Sequence, residues 1–247
     1  MSDGQADRLS PGIIRAEGVF ETMRVQNGKV IFLKEHFNRL GRGLKVFKIR
    51  MPYSRKRMKE DIVRLLKSNR LKTASVRLMI FREKNKVRIS IICRPVGTFR
   101  YQRGFKAMVA AQRRNKTRTS HIKSVDYQIF HKAWQQANKN GFDEAVLLNG
   151  RGELVEGSRT NLFFVKNNIL MTPSIQCGCL RGITRRVVMQ RARELKVVCK
   201  TVKAKLIQLQ NADEAFLTNS ILGIMPLTKL GEQDISLHGA CSIYLQW

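Results

Sequence analysis

The 247-residue sequence predicts an α+β fold with two domains. Strand-like runs come in pairs across short polar turns, and single helix-like segments separate these pairs. This order is typical of an α+β sheet protein and not of a doubly wound one. A crossover that contains Pro and Gly divides the chain into an N-terminal domain, residues 1–104, and a C-terminal domain, residues 105–247. The 43% of apolar residues is enough for an ordinary core in each domain.

The first domain is predicted to combine a sheet with two helices. The Asn-Gly pair at Asn27-Gly28 is a typical hairpin turn. Apolar residues recur at helical spacing on both sides of Pro52, which separates two helices. The predicted elements are strands 18–25 and 29–32, helices 34–47 and 54–68, and strands 74–81 and 87–93, after an extended lead-in at residues 1–15.

The crossover between the two domains spans residues 94–120 and contains one short strand at residues 105–111, in the first part of the second domain. Beyond the crossover, Gly141 closes a helix, and Asn167-Asn168 connects the strands of a hairpin. The predicted elements are strand 105–111, helix 127–138, strands 144–148, 161–165 and 169–171, helix 184–195, strand 197–202, helix 204–211, and strands 214–218 and 223–229.

Composition excludes several classes of protein. No apolar run reaches membrane-spanning length and the first ten residues are polar, so we expect a cytoplasmic protein with no membrane partner. An odd number of scattered cysteines fits reduced thiols better than a disulfide framework. The Cys-x-Cys spacing of Cys177 and Cys179 lacks further nearby ligands, so no metal site is predicted.

The formal net charge of +29 is typical of nucleic-acid-binding proteins. Basic residues are densest at residues 113–118, but they also spread over residues 50–72 and 181–205. They are not combined with an aromatic stacking pattern or a recognisable nucleic-acid-binding fold. We therefore interpret the charge as a solvated basic surface that would attract an anionic small-molecule substrate, and we predict no nucleic-acid partner.

The most informative stretch is residues 153–164, Glu-Leu-Val-Glu-Gly-Ser-Arg-Thr-Asn-Leu-Phe-Phe. Its Glu156 lies between a β-like run and a Gly-Ser turn, where a carboxylate requires a compensating partner. A carboxylate at the rim of a sheet could anchor a protonated heteroaromatic ring.

Four stretches together resemble the pyridoxal-phosphate enzymes of fold type IV, the class-IV aminotransferase family. They are residues 121–127 (His-Ile-Lys-Ser-Val-Asp-Tyr), Glu156 with its neighbours, residues 178–185 and residues 217–221, in that order and spacing. The resemblance extends from about Gly18 to Leu227. It implies a smaller N-terminal α/β sandwich, a larger C-terminal α/β pseudo-barrel, the cofactor pyridoxal 5'-phosphate and a homodimer.

The resemblance implies roles for two ionisable residues. Lys123 would be the Schiff-base lysine and proton shuttle. Such a lysine must be neutral to attack an aldehyde, and burial beside other cations favours its neutral form. Glu156 would keep the pyridine nitrogen protonated, which makes the ring an electron sink. Without the other motifs, the two would be interpreted as a surface lysine and a turn glutamate.

The same resemblance implies residues that hold the phosphate. Ile183 and Thr184 lie at the start of a helix, where backbone N–H groups and the helix dipole favour a dianion. Asn219 and Ser220 lie in a turn after a strand and can donate further hydrogen bonds. Arg39 matches the family arginine of the first domain, and its guanidinium is a fork-shaped donor suited to phosphate.

Two further residues would contact the cofactor ring. Leu180 would pack against the ring face, and Tyr127 would reach the ring hydroxyl. His36 and His131 have no partner that the sequence identifies, and we interpret them as structural.

Within the family, the sequence looks most like the 4-amino-4-deoxychorismate lyases. The similar pieces are residues 20–22, 178–180 and 218–226. This resemblance implies release of pyruvate and formation of 4-aminobenzoate, a step of folate biosynthesis. The alternative is a branched-chain or D-amino-acid aminotransferase, although the Arg-x-His carboxylate trap of the latter is replaced by Arg100-Tyr101-Gln102. A third hypothesis, a basic nucleic-acid-binding protein that retains only the scaffold, ranks below both.

Overall fold

The computed structural model describes residues 17–236 of the chain. These residues form two compact units. The first runs to Val96 and takes in Ile122–Gln128, and the second comprises Gly97–His121 and continues from Ile129. Each unit combines one sheet with helices, so the predicted α+β class is confirmed. The predicted lead-in lies outside the described residues.

The first unit contains a four-stranded antiparallel sheet and two helices, as predicted. Its elements are β1 (Glu17–Gln26), β2 (Lys29–Val30), α1 (Leu33–Val46), α2 (Arg55–Ser68), β3 (Ala74–Glu83) and β4 (Lys86–Pro95). The strand order is β2-β1-β3-β4. β2 is shorter than predicted because Phe32, at φ 53°, already forms the N-cap of α1.

Local sequence signals explain where these elements begin and end. Asn27 and Gly28 both have positive φ, 50° and 73°, which is the backbone that an Asn-Gly hairpin turn requires. Ser54 caps α2, because its side chain accepts a hydrogen bond of 3.2 Å from the backbone N–H of Arg57.

The two faces of this sheet have different roles. One face packs in a core with the two helices, and its members include Met23, Leu78 and Ile62. The other face carries a smaller cluster that includes Phe20 and Met79. Because side chains alternate along a strand, the residues of this second face are those at every second position from Phe20.

The segment Ile122–Gln128 belongs to this unit and pairs with β1. Lys123 accepts a hydrogen bond of 3.0 Å from the backbone of Phe20, and Val125 donates one of 3.1 Å to Gly18. An antiparallel bridge joins Val19 to Ser124. This grouping differs from the sequence-based division at residue 104, because backbone pairing attaches Lys123 to β1.

The second unit contains a nine-stranded mixed sheet. Its elements are β5 (Phe105–Arg113), α3 (Gln128–Lys139), β6 (Glu144–Leu148), β7 (Leu154–Gly157), β8 (Asn161–Lys166), β9 (Ile169–Pro173), a 3-10 helix (Ile175–Cys177), α4 (Ile183–Glu194), β10 (Cys199–Val202), α5 (Leu206–Gln210), β11 (Glu214–Asn219), β12 (Gly223–Leu230) and β13 (Gln233–Asp234). The order is β10-β9-β8-β11-β12-β5-β6-β7, and β13 pairs with β12.

Most of these elements agree with the sequence prediction, and the differences are small. The 3-10 helix and the two-residue β13 were not predicted, and α5 is shorter than predicted. β10 begins two residues later than predicted, since Lys196 (φ 58°) and the hydrogen bond from Val197 to Ala192 first close α4.

Two stacked aromatic rings form the centre of one core of this unit. Phe163 of β8 and Phe216 of β11 are cross-strand neighbours, and their rings stack with centroids 5.0 Å apart. Both are fully buried, and Val188 and Ala192 of α4 belong to the same cluster. No helix within residues 17–236 is long and apolar enough to span a membrane.

We predict that Phe216→Ala lowers the free energy of unfolding by about 3–5 kcal/mol, because it removes a buried ring and leaves a cavity. Urea denaturation followed by tryptophan fluorescence measures the change. The control is Ile207→Ala, since Ile207 is 57% exposed. Equal shifts of the unfolding midpoint in the two variants would contradict the prediction.

Candidate functional site

In the second unit, the loop between β7 and β8 is fixed by the buried carboxylate of Glu144. One carboxylate oxygen accepts hydrogen bonds from the backbone N–H of Ser158, at 2.9 Å, and from its hydroxyl. The other accepts bonds from Arg159 N, at 3.1 Å, and Thr160 Oγ1, at 3.0 Å. A Cβ at Gly157 would overlap Thr160 Oγ1, so the loop closes this tightly only with glycine there.

Glu156 of β7 is oriented by hydrogen bonds from two directions. It is 4% exposed. Its Oε2 accepts a bond of 3.0 Å from the backbone N–H of Leu180 and one of 3.3 Å from Asn161 Nδ2. Asn161 Nδ2 also donates to the carbonyl of Leu180 at 3.0 Å. One asparagine therefore connects the predicted ring-nitrogen partner with the residue predicted to pack on the ring.

The amino end of α4 lies beside the same asparagine. Gly182 precedes the helix and supplies no side-chain cap. A Cβ at Gly182 would overlap Asn161 Oδ1, so glycine is required for this close approach. The N–H groups of the first turn, which include those of Ile183 and Thr184, have no partner inside the helix and favour an anion. Thr184 is 3% exposed.

The turn after β11 lies at the same end of the sheet, because Thr218 is the cross-strand partner of Asn161. The side chain of Asn219 shapes this turn: its Oδ1 accepts bonds from Ile221 N and Leu222 N, at 2.9 and 2.7 Å. Its Nδ2 donates to the carbonyl of Arg159 at 3.2 Å. Asn219 thus ties this turn to the loop that Glu144 fixes. A ligand contact of the half-buried Ser220 remains a prediction.

In the first unit, Lys123 lies over two aromatic rings. Its Nζ is 4.4 Å from the centroid of the Phe20 ring and 5.7 Å from that of Tyr127. The two rings meet edge to face, with centroids 5.5 Å apart. The guanidinium of Arg77 is also 4.8 Å from the Phe20 centroid. Cation–π contacts of this kind favour a defined position for the lysine amino group.

Arg39 belongs to a buried ion-pair network in the first unit. Its Nε and Nη2 donate to the two carboxylate oxygens of Glu21 at 2.8 and 2.6 Å. His36 Nδ1 lies 2.7 Å from Glu21 Oε2, so His36 has a partner that the sequence did not identify. The exposed fractions of Glu21, His36 and Arg39 are 1%, 0% and 8%.

The charges of this network determine its protonation. Burial alone would raise the pKa of Glu21, but the charge and hydrogen bonds of Arg39 and the hydrogen bond of His36 outweigh burial and hold this pKa at about 2. Burial lowers the pKa of His36, and the charges of Arg39 and Lys123 lower it further, against the effect of Glu21. The network thus consists of a carboxylate, a guanidinium and a neutral imidazole.

The structure therefore places the predicted site residues in two groups, one in each unit. The first unit holds Arg39, Lys123 and Tyr127, and the second holds the other six, which are Glu156, Leu180, Ile183, Thr184, Asn219 and Ser220. Their roles remain predictions. In the second unit, the carboxylate of Glu156 suits a protonated ring nitrogen, and the N–H groups at the start of α4 suit a phosphate group. Within residues 17–236, no group of His, Cys, Asp and Glu side chains could hold a metal ion.

The sequence analysis assigned no role to Glu21, Glu144 or Asn161. Glu144 carried a signal, because it is the one charged residue of the otherwise apolar strand Glu-Ala-Val-Leu-Leu. Glu21 similarly interrupts the apolar face of β1. Asn161 carried no signal, since its partners depend on tertiary structure.

The chain matches the family model described as amino-transferase class IV over residues 18–230. The aminodeoxychorismate lyase of Bacillus subtilis is 32% identical over 243 residues, which cover 91% of this chain and 82% of that protein. Several further relatives, 27 to 32% identical, carry names of branched-chain-amino-acid aminotransferases.

Solved structures share the fold. The branched-chain aminotransferase of Thermoproteus uzoniensis, solved with norvaline, has a TM-score of 0.86 and 28% identity, covering 98% of this chain and 88% of its own. The branched-chain amino acid aminotransferase of Escherichia coli has a TM-score of 0.84 and 23% identity, covering 97% and 87%. Another branched-chain amino acid aminotransferase, solved with pyridoxamine 5'-phosphate, has a TM-score of 0.83 and 23% identity, covering 94% and 84%. The second and third likenesses show the fold alone.

We predict that Glu144→Gln lowers the free energy of unfolding by at least about 2 kcal/mol, because hydrogen bonds to an ionised acceptor are lost and an amide N–H₂ faces other donors. Urea denaturation measures the change. The matched control is Glu232→Gln, since the Glu232 side chain is 93% exposed. A shift in the control as large as that in Glu144→Gln would contradict the prediction.

Proposed function

Because the chain belongs to the amino-transferase class IV family, whose enzymes use pyridoxal phosphate, we propose that it is the lyase that converts 4-amino-4-deoxychorismate to 4-aminobenzoate and pyruvate. The protein would act in folate biosynthesis, as a cytoplasmic homodimer. The sequence pieces similar to lyases and the Bacillus subtilis relative support this activity. The alternative is a branched-chain or D-amino-acid aminotransferase of the same fold, which the names of several relatives favour.

The residues of the second unit fit the cofactor by their chemistry. When bound, pyridoxal phosphate supplies an aldehyde for the substrate amine and a ring that accepts electrons. Glu156 would hold the ring nitrogen protonated, because its carboxylate is already oriented by Leu180 N and Asn161. The first turn of α4, with Ile183 and Thr184, would bind the phosphate.

Further residues would complete the cofactor site. The side chain of Leu180 would pack on the ring face, and Tyr127 would meet the ring hydroxyl. Asn219 and Ser220 would add donors for the phosphate. Arg39 would bind the phosphate with its guanidinium.

Lys123 would move the proton of the reaction. Its Nζ would take the proton from C4 of the substrate ring. The bond between C3 and the enolpyruvyl oxygen then breaks, which makes the ring aromatic. The proton returned to the methylene carbon of the released enolpyruvate gives pyruvate. No second substrate is needed, in contrast to a transaminase. Nζ lies over the Phe20 ring, which would stabilise the charged form of the amine between the two transfers.

The observation that carries the substrate assignment is a set of three arginines on one face of the first unit's sheet. Arg24 of β1 and Arg94 of β4 are both cross-strand neighbours of Ser75 on β3. Arg77 lies two residues further along β3, on the same face. Because neighbouring strands are about 4.8 Å apart, the Cα atoms of the three arginines lie within roughly 10 Å of one another. All three residues are half-buried.

This arginine face supports a substrate with two carboxylates. It is the face of Phe20, the ring over which both Lys123 and Arg77 lie. A guanidinium binds a carboxylate through two parallel hydrogen bonds. Aminodeoxychorismate has two carboxylates, whereas a branched-chain amino acid has one and an apolar side chain. A dicarboxylic amino acid used by a transaminase would also satisfy this face, so substrate assays must distinguish the two.

The deciding experiment uses purified protein with added pyridoxal phosphate and enzymatically generated aminodeoxychorismate. We expect pyruvate and 4-aminobenzoate in equal amounts when no keto acid is added as a second substrate. Amino transfer from valine, glutamate or D-alanine to a keto acid, with no pyruvate from aminodeoxychorismate, would establish the transaminase instead. Absence of bound cofactor, together with salt-sensitive binding to nucleic acid, would favour the scaffold hypothesis.

We predict that Lys123→Ala abolishes both pyruvate release and the visible absorbance band of the bound cofactor, because the primary amine is lost. The control is Lys72→Ala, since Lys72 is an exposed lysine of the same unit. Retention of the band in Lys123→Ala would contradict the assignment of this lysine.

We predict that Arg77→Ala raises the KM for aminodeoxychorismate by about 10- to 100-fold, since one charge-assisted pair contributes about 1.5–3 kcal/mol, with a smaller effect on kcat. Steady-state kinetics measures both constants. Arg64→Ala is the control, because the Arg64 side chain is 68% exposed. An unchanged KM in Arg77→Ala would exclude this arginine from substrate binding.

A further inference from the structure

A carboxylate lies in the core of the first unit without belonging to the proposed chemistry. Glu21 is 1% exposed, and its neighbours along the same face of β1, Val19 and Met23, are buried apolar residues. Removing a carboxylate from water is unfavourable unless strong donors compensate it. Two such donors are present, both on helix α1, and they are Arg39 and His36.

The contact between Glu21 and Arg39 fixes the orientation of the guanidinium plane as well as its distance from the carboxylate. Nε and Nη2 of Arg39 donate to different carboxylate oxygens, at 2.8 and 2.6 Å. Two parallel bonds between planar groups hold the guanidinium coplanar with the carboxylate. Because this contact uses the Nε edge, the end of the guanidinium that carries Nη1 is directed away from Glu21.

His36 completes the arrangement from one turn earlier in α1. It lies three residues before Arg39, so the two side chains share one face of the helix. Its Nδ1 is 2.7 Å from Glu21 Oε2, the oxygen that also accepts from Arg39 Nη2. Its Nε2 is buried, with no hydrogen-bond partner in the part of the chain that the structure describes.

The absence of a hydrogen-bond partner for Nε2 among the described residues indicates which nitrogen of the ring carries the proton. A neutral imidazole has one N–H, and Glu21 offers the acceptor for a proton on Nδ1. A proton on Nε2 would be a buried donor without an acceptor. The positive charges of Arg39 and Lys123 also disfavour a second proton on the ring. His36 therefore donates through Nδ1 as a neutral ring, and it leaves the full charge of Glu21 to Arg39.

We propose that Glu21 and His36 are positioning residues that hold the guanidinium of Arg39 in a single orientation for binding a phosphate group. The inference rests on the phosphate-binding role proposed above for Arg39. An arginine side chain loses rotational freedom about several bonds when it binds an anion. If the side chain is already fixed in the folded protein, this entropic cost does not weaken ligand binding. Neither Glu21 nor His36 would touch the ligand.

The test separates phosphate binding from the rest of the cofactor. The dissociation constants of pyridoxal phosphate and of pyridoxal, which lacks the phosphate, are measured on the full-length protein by equilibrium dialysis. The dissociation constant of pyridoxal divided by that of pyridoxal phosphate, here called the phosphate ratio, reports what the phosphate contributes to affinity. A variant that only damages the fold weakens both ligands and leaves this ratio unchanged.

We predict that Glu21→Gln and His36→Leu reduce the phosphate ratio about tenfold or more, because Arg39 loses its charge-assisted partner or the ring that fixes it. His36→Asn, whose side-chain N–H₂ can replace the Nδ1 donor, is expected to restore most of the ratio. Glu21→Asp keeps the charge and shortens the side chain, so it provides a second test if Glu21→Gln does not fold. Glu60→Gln, at an exposed glutamate of α2, is the matched control.

Arg39→Met distinguishes failure of the inference from failure of the proposed function. If Arg39→Met reduces the phosphate ratio but the Glu21 and His36 variants do not, Arg39 binds the phosphate without positioning and the inference is wrong. If Arg39→Met leaves the ratio unchanged, the role of Arg39 itself is wrong, and the inference fails with it. Equal weakening of pyridoxal and pyridoxal phosphate in the Glu21 variants would show a structural role only.

Discussion

The site of the second unit depends on the way in which one buried carboxylate, Glu144, organises the loop between β7 and β8. It accepts four hydrogen bonds from Ser158, Arg159 and Thr160. Each bond to an ionised acceptor contributes about 1.5–3 kcal/mol and offsets part of the unfavourable burial of the charge. The main effect of these bonds on the site is geometric. With the loop fixed, Glu156 and Asn161 on either side of it meet directly.

The sequence predicted the elements well because local patterns determine them. The Asn27-Gly28 turn, the Ser54 cap and the periodic apolar residues of α1 and α2 are signals that one short window contains. The motif resemblance likewise located Glu156, since the motif is itself a local pattern. The attachment of Lys123 to β1 could not be predicted in this way, because it depends on backbone pairing between distant parts of the chain.

The supporting residues of the site were missed for a related reason. Glu144 begins an otherwise apolar strand and Glu21 lies on the apolar face of β1, but a single polar residue in such a place does not reveal which donors surround it. Asn161 follows a polar run and gives no periodic signal at all. Its importance is that it contacts Glu156 and Leu180 and lies against Gly182, and these contacts exist only after β7, β8 and α4 have packed.

The high positive charge makes buried carboxylates more informative than buried arginines in this protein. With 47 basic and 18 acidic residues, the acidic residues are too few for each cation to have an acidic partner of its own. Such a chain attracts anions over its whole surface, but this long-range attraction is not directional and is screened by salt. Orientation has to come from short-range contacts, and a carboxylate held by several donors provides them. Glu21 gives direction to one arginine and Glu156 offers an oriented acceptor, so the scarce acidic residues define where the abundant positive charge becomes a binding site.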